Sequence, residues 1–235
     1  CKGRSAVLAT PETLQQTIET GLRQPGRNLT EHPVLASLDR GELSRAQVQG
    51  LLTQMYVHVR EVTRWIAASF AACPYPEIRD MIFENLLEEQ IGYYSKTKAH
   101  AELLKDCAIA AGVSAETLDR ARPLSETAAL IDYCELTATQ RHWLIGLEGL
   151  GIALETQAPI FFGKIGHALI KSYGMDEEGA KFFLLHISVD EDNGDVNWRI
   201  LQEHATSEAL QRDLTEAIFR TAERWWGLLD TWQQF

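Results

Sequence analysis

Apolar residues recur along this chain at helical spacing, and no segment shows the alternation of apolar and polar residues that half-buried strands have. Pro and Gly fall almost entirely between the amphipathic runs, where they separate one helix from the next. Thr10 followed by Pro11 is typical of a helix start, and Ser44 is a suitable N-cap for a later helix. The pattern predicts an all-α fold.

The predicted helices are long and are joined by short loops. We expect one uninterrupted helix over residues 44–73 and another over residues 140–174, the second bent at Pro159. About seven main helices with short connections indicate an up-and-down bundle. No linker or low-complexity run divides the chain. We therefore expect one domain over residues 1–235, with an N-terminal helix and linker in 1–28 and the bundle in 29–235.

Composition and charge narrow the classes of function. The 235 residues are 45% hydrophobic and 23% charged, which is ordinary for a folded domain with a large core. The net charge of −11 opposes binding to phosphate backbones, so we expect no nucleic-acid partner. No apolar stretch reaches the ~20 residues of a membrane span, and no glycine-rich fingerprint of a nucleotide cofactor is present. Four scattered cysteines without a CxxC pair indicate reduced thiols and a cytoplasmic location.

Polar side chains occupy helix faces that should otherwise be apolar. In "LLHISVDEDNGDVNWRIL", spacings of 4, 3 and 4 residues place His186, Asp190, Asn193 and Asn197 on one stripe. A hydrogen-bonded pair of His186 and Asp190 near the surface is the structural alternative to a ligand pair. The stripe therefore indicates either a site or a surface face.

Two further stripes carry carboxylates. Glu148 and Glu155 lie seven residues apart among apolar neighbours, and a buried carboxylate needs a cation or must become neutral. That cation is either a metal ion or a basic side chain, for which Arg141, Lys164 and Arg199 are the candidates. Glu88 and Glu89 precede His100 in the third stripe. Carboxylates and imidazoles on facing helices are typical ligands of iron or manganese in helical bundles.

The segments "ENLLEEQIG", "HAELLKDCAIAAGV", "LETQAP" and "FFLLHISVDEDN" resemble the heme-oxygenase-like diiron oxidase superfamily over about residues 30–230. Its branches include CADD-type para-aminobenzoate synthases, pyrroloquinoline-quinone synthase and the TenA thiaminases. The resemblance implies a seven-helix bundle, often a homodimer, that activates O2 at iron and oxidises a small organic substrate in biosynthesis. The family's metal-ligand pattern matches this chain at Glu89, His100, Glu155, His186, Asp190 and Asn193.

Two departures from the family pattern affect that ligand set. Asn193 stands where the family has a histidine, and an amide oxygen is a poor iron ligand beside imidazole. Glu89 and His100 are eleven residues apart instead of seven, which is about 16 Å along a continuous helix. Either the helix breaks near Gly92, or the four extra residues loop out, or Glu89 is no longer a ligand. The site is thus expected to hold one or two iron ions.

Three functional interpretations follow from the residues and the resemblance. The first is an O2-dependent oxidase with an iron site. The second is a metal-free enzyme on the same fold, as pyrroloquinoline-quinone synthase is, and the third is a binding protein without catalysis. Leu154 precedes Glu155 where CADD-type enzymes have the tyrosine that they consume, and "GLGIALE" lacks the thiaminase cysteine. Self-sacrificing synthesis and thiamine hydrolysis are therefore not expected.

Overall fold

The computed structural model describes residues 8–235, except for the side chains of residues 188–195. The described residues form twelve α-helices, two short 3-10 turns at Leu29–Glu31 and Thr231–Gln234, and no strand. The α-helices are α1 (Pro11–Leu22), α2 (Pro33–Asp39), α3 (Arg45–Val59), α4 (Val62–Ala72), α5 (Pro76–Ile91), α6 (His100–Ala110), α7 (Ala115–Arg120), α8 (Ser125–Gln140), α9 (Trp143–Glu155), α10 (Ala158–Tyr173), α11 (Lys181–His204) and α12 (Glu208–Asp230). The all-α prediction is confirmed, whereas the count of about seven helices was too low.

Two helices begin at the predicted caps. The Thr10 hydroxyl accepts a hydrogen bond from the backbone N–H of Thr13 at 3.3 Å, and Pro11 occupies the first turn of α1. The Ser44 hydroxyl accepts from the N–H of Gln47 at 3.2 Å, while the Gln47 side chain accepts from the N–H of Ser44 at 2.9 Å. Both arrangements satisfy backbone donors that have no partner inside the helix.

The helix predicted over residues 44–73 is divided in two. α3 ends at Val59, and α4 begins at Val62 and packs against α5 and α8. Arg60 and Glu61 lie between them with right-handed helical backbone angles. No proline or glycine marks this break, because neither residue adopts an angle that requires one.

The helix predicted over residues 140–174 is also divided, where a bend at Pro159 was expected. α9 ends at Glu155 and α10 begins at Ala158. The Gln157 side chain lies in the gap, donates to the carbonyl of Ala153 at 2.8 Å and accepts from the N–H of Leu29 at 2.7 Å. These bonds satisfy backbone groups where the helix is interrupted, and they connect the interruption to the turn that precedes α2.

Two hydrophobic clusters hold the helices together. The first draws mainly on α2, α3, α6, α8, α10 and the start of α11, with fully buried side chains such as Met55 and Phe161. The second joins α1, α9, the end of α11 and the first part of α12, with Ile152 and Ile218 fully buried. α11 contacts α6, α9 and α10, and α6 contacts α5. This packing brings polar positions of α5, α6 and α11 together.

The described helices contain none with both the length and the apolar content of a membrane span. Cys73, Cys107 and Cys134 are buried free thiols. Burial raises the pKa of Cys107 to about 12 and also raises that of Cys134. These thiols act as apolar core groups.

Candidate metal centre

The turn between α5 and α6 brings the first candidate ligands together. Gly92 ends α5 with a φ of +59°, and a Cβ at this position would lie 2.5 Å from the backbone oxygen of Thr97. Only glycine fits both the left-handed backbone and the close approach. The chain reverses over residues 92–99, and α6 begins at His100. Of the alternatives left open by the sequence, the structure shows a helix break near Gly92, so the eleven-residue separation does not run along one helix.

Two adjacent carboxylates flank the His100 ring. Glu89 Oε1 lies 2.8 Å from His100 Nδ1, and Glu88 Oε1 lies 3.3 Å from His100 Nε2. The second oxygen of Glu88 accepts hydrogen bonds from the backbone N–H groups of Tyr94 at 2.7 Å and Ser95 at 3.1 Å. Glu88 therefore holds the turn and contacts one nitrogen of the ring, and Glu89 lies beside the other.

His186 joins these groups from α11. Its Nδ1 lies 2.7 Å from the carbonyl oxygen of Phe182, and a carbonyl can only accept, so Nδ1 carries the hydrogen. Neutral imidazole then has a bare Nε2, the atom that can bind a metal. The ring centroids of His186 and His100 are 4.9 Å apart. A backbone carbonyl thus fixes the tautomer of His186 in the form that a ligand requires.

Glu89, His100 and His186 each offer a ligand atom, and these atoms all lie within 4.8 Å of one another. They come from three different helices, and His100 is buried. His100 Nδ1 is close to Glu89 yet makes no aligned hydrogen bond within the described structure. Two ligand atoms that bind the same metal ion also lie close together without a hydrogen bond between them. Imidazole nitrogen and carboxylate oxygen are suitable iron ligands, so the residues present fit such an ion.

The charges of the cluster shift the pKa values in opposite directions. Burial lowers the pKa of His100, but the contacts with Glu89 and Glu88 outweigh burial and raise it above the ordinary histidine value. Burial dominates at His186 and lowers its pKa. Burial raises the pKa of Glu88, but hydrogen bonds from Ser95, Tyr94 and His100 together lower it. Without a metal, the site therefore carries an ionised Glu88, a readily protonated His100 and a neutral His186.

Aromatic rings enclose one side of the cluster. The ring of Phe182 lies 4.6 Å from that of His186 and 6.3 Å from that of His100, between centroids. The ring of Phe162 lies 5.0 Å from that of His186. Both phenylalanines are buried. They exclude water from this side, which strengthens electrostatic interactions with any ion held there.

Two further polar groups of interest are the carboxylates of Glu148 and Glu155 on α9, and a third is the amide of Asn197 on α11. Asn197 donates a hydrogen bond from its Nδ2 to Glu155, the last residue of α9. Glu148, two turns earlier, is fully buried, and burial followed by the charge of Glu155 raises its pKa well above the ordinary value. Glu155 is not a member of the group of three described above. Asn197 therefore holds the carboxylate of Glu155 by a hydrogen bond.

The six predicted ligands thus have different outcomes. The structure brings Glu89, His100 and His186 together, and Glu155 lies on α9 with Asn197. Asp190 and Asn193 lie outside the described side chains. Glu88 was predicted in the third stripe with Glu89 and His100 but is not one of the six family-pattern ligands, and the structure places it beside His100. The carbonyl of Phe182 left no signal, because a backbone group is the same in every residue.

Known protein families and proteins are similar to this chain over most of its length. The sequence profile of a family described as iron-containing redox enzymes matches residues 49–226, more than half of the chain. A 4-aminobenzoate synthase of Chlamydia muridarum is 27% identical over 215 residues, which cover 87% of this chain and 84% of that protein. The 4-aminobenzoate synthase of Chlamydia trachomatis is 25% identical, with 87% and 86% covered.

Solved structures share the fold at low sequence identity. A TenA homologue from Pseudomonas syringae has a TM-score of 0.79 at 15% identity and covers 99% of this chain and 98% of its own. A CADD-like protein of unknown function from Nostoc punctiforme has a TM-score of 0.75 at 16% identity, with 95% and 97% covered. A domain of unknown function with a heme oxygenase-like fold from Shewanella denitrificans has a TM-score of 0.74 at 15% identity, with 95% and 90% covered. The chain therefore has the heme-oxygenase-like fold and belongs to the family of iron-containing redox enzymes.

Proposed function

We propose that this protein is an O2-dependent oxidase that acts on a small organic substrate with one or two iron ions held inside the bundle. The observation that carries the proposal is the convergence of Glu89, His100 and His186, with the hydrogen of His186 Nδ1 directed away from the cluster. A histidine that only packed in a core would not require two carboxylates and a second imidazole beside it.

The ligands that we propose are the residues of the family pattern, listed here in chain order: Glu89, His100, Glu155, His186 and Asp190, with Asn193 as the weakest. Iron, when bound, supplies the binding and activation of O2, which protein side chains alone do not provide. The chain's own groups hold and shield that centre. Glu88 orients His100, the carbonyl of Phe182 orients His186, and the ring of Phe162 keeps water away.

The substrate class that we propose is a small amine or acid. The two relatives that match 87% of this chain are 4-aminobenzoate synthases. A small aromatic acid that carries nitrogen therefore belongs to the chemistry of these relatives. Leu154 occupies the position before Glu155, where the resemblance predicts the sacrificed tyrosine. We therefore propose that this chain oxidises an external substrate and not its own side chain.

The first experiment measures iron in protein expressed with excess iron and purified without chelators. We expect bound iron in the wild type and its loss in His186→Ala, because the variant removes a nitrogen ligand. His167→Ala is the matched control, since His167 is an exposed histidine on α10. Wild-type protein that folds but contains no iron would refute the proposal.

The metal-free interpretation makes a different prediction. On that interpretation, His100, His186 and Glu155 act as acid and base groups around a bound ligand. Chelation of iron would then leave turnover of the substrate unchanged. We expect instead that a chelator abolishes O2 consumption and that added ferrous iron restores it.

A further inference from the structure

The carboxylate of Glu88 makes contacts that the proposed ligand set does not use. Its side chain is 12% exposed, and that of His100 is 6% exposed. One Glu88 oxygen accepts hydrogen bonds from the backbone N–H groups of Tyr94 at 2.7 Å and Ser95 at 3.1 Å. The other oxygen lies 3.3 Å from His100 Nε2 in hydrogen-bonding geometry. A single carboxylate therefore connects the turn after α5 to the first residue of α6.

These contacts determine which nitrogen of His100 carries the hydrogen. An ionised carboxylate has no hydrogen to donate, so a hydrogen bond between Glu88 and Nε2 requires the hydrogen on Nε2. A neutral imidazole has only one N–H group, so Nδ1 is then bare. Nδ1 lies 2.8 Å from Glu89 Oε1 and has no aligned hydrogen bond in the described structure. The bare nitrogen of His100 thus lies beside the proposed carboxylate ligand.

His186 shows the opposite arrangement at the same site. Its Nδ1–H group donates to the carbonyl of Phe182 at 2.7 Å, so its Nε2 is the bare nitrogen. The centroids of the two histidine rings are 4.9 Å apart, and the ring planes are inclined at 70°. In each ring, an acceptor that is not one of the three clustered residues binds the N–H group and leaves the other nitrogen available for a metal. Hydrogen bonds of this kind fix the tautomer of a ligating histidine.

We propose that Glu88 is a positioning residue that selects Nδ1 of His100, and not Nε2, as the iron-binding nitrogen. This inference rests on the proposed function, because it requires that iron binds beside Glu89. It goes beyond the orientation of the ring, since it assigns a different donor atom to each of the two histidines. Glu88 is then not a ligand itself, and both of its oxygens remain hydrogen-bond acceptors.

Glu88→Gln tests the proposal, because an amide group cannot make all of these contacts. Its oxygen can replace the carboxylate oxygen that accepts from Tyr94 and Ser95, which leaves its NH2 group facing His100. The reverse orientation would place the NH2 group against two N–H donors, so the first orientation is favoured. The NH2 group then donates to Nε2, and the hydrogen of the neutral ring moves to Nδ1. The variant thus keeps the turn but blocks the nitrogen that should bind iron.

The position of the hydrogen is measured in metal-free protein by long-range proton–nitrogen NMR correlation of the histidine rings, at alkaline pH where the ring is neutral. We expect His100 to carry its hydrogen on Nε2 in the wild type and on Nδ1 in Glu88→Gln. Ferrous iron, titrated under anaerobic conditions, should bind the variant at least roughly tenfold more weakly. The unfolding temperature without metal should stay close to the wild-type value, because the hydrogen bonds of the turn remain. The wild-type spectrum tests the assignment even if the variant unfolds.

Glu102→Gln is the matched control. It removes the same charge from an exposed position two residues after His100 and should bind iron as the wild type does. An equal loss of affinity in both variants would show that charge alone is responsible and would overturn the inference. A metal-free wild type with the hydrogen on Nδ1, or a Glu88→Gln variant with wild-type affinity, would also overturn it. If His186→Ala loses iron in these cases, the proposed oxidase stands, whereas a wild type that binds no iron refutes both proposals.

Discussion

His58 shows how strongly burial acts on a single side chain. Its ring lies between Trp65 and Trp225, at 5.1 and 4.6 Å between centroids, and its Nδ1 has no hydrogen-bond partner in the described structure. Burial lowers the pKa of His58 to about 3. Burial likewise lowers the pKa of His32 to about 4, although the contact with Asp230 opposes this shift. Both imidazoles are therefore neutral in the folded protein at neutral pH.

The sign of the resulting pH dependence follows from proton binding. An unfolded chain protonates its histidines near pH 6.5, whereas the folded protein keeps His58 neutral until about pH 3. The unfolded state thus binds more protons between these values, and the fold loses stability as the pH falls through that window. At pH 5, the contribution of His58 alone is on the order of 2 kcal/mol.

We predict that His58→Gln reduces the acid sensitivity of the fold. The free energy of unfolding of metal-free protein, measured with denaturant at pH 7 and pH 5, should fall by about 2 kcal/mol less in the variant than in the wild type. His167→Gln, at an exposed histidine, should follow the wild type. An equal fall in His58→Gln and the wild type would show that His58 does not carry this sensitivity.

Helix boundaries could be predicted where nearby side chains determine them. They could not be predicted where tertiary contacts determine them. The caps at Thr10 and Ser44 depend on residues within one turn, so local sequence is sufficient. The break after Val59 has no proline or glycine to signal it, since Arg60 and Glu61 keep helical angles and α4 packs against α5 and α8. At the break before α10, the Gln157 side chain accepts a hydrogen bond from the backbone N–H of Leu29, which is distant in sequence.

The turn between α5 and α6 is the element on which the site depends most. We predict that Gly92→Ala destabilises the fold by more than the ~1–2 kcal/mol of a left-handed non-glycine residue, because the added Cβ also meets Thr97. The same variant should retain less iron, since the turn holds Glu88 and Glu89 against His100. Denaturant unfolding and iron analysis of the purified variant measure the two effects.

Gly174→Ala is the matched control for this prediction. Gly174 ends α10 with a φ of +68°, close to that of Gly92, but a Cβ there would have no neighbour within 4 Å. Gly174→Ala should lower the free energy of unfolding only by the ~1–2 kcal/mol of a left-handed non-glycine residue, and the variant should keep its iron. Equal destabilisation in the two variants, or full iron content in Gly92→Ala, would contradict the role assigned to the turn.

At the scale of the whole molecule, the periodicity of the sequence was sufficient for the fold class. The assembly of the site was not predictable from periodicity, because no local pattern specifies which helices meet. Glu89, His100 and His186 lie on three helices whose packing depends on the buried core between them. The family resemblance supplied that information. The single domain, the homodimer and the cytoplasmic location stay predictions.

The most direct test of the central claim locates the metal itself. Anomalous diffraction at the iron absorption edge, from crystals of iron-loaded protein, should give a peak in direct contact with Glu89, His100 and His186. A helical bundle whose crystals contain iron but show no anomalous peak among these three side chains would contradict the account.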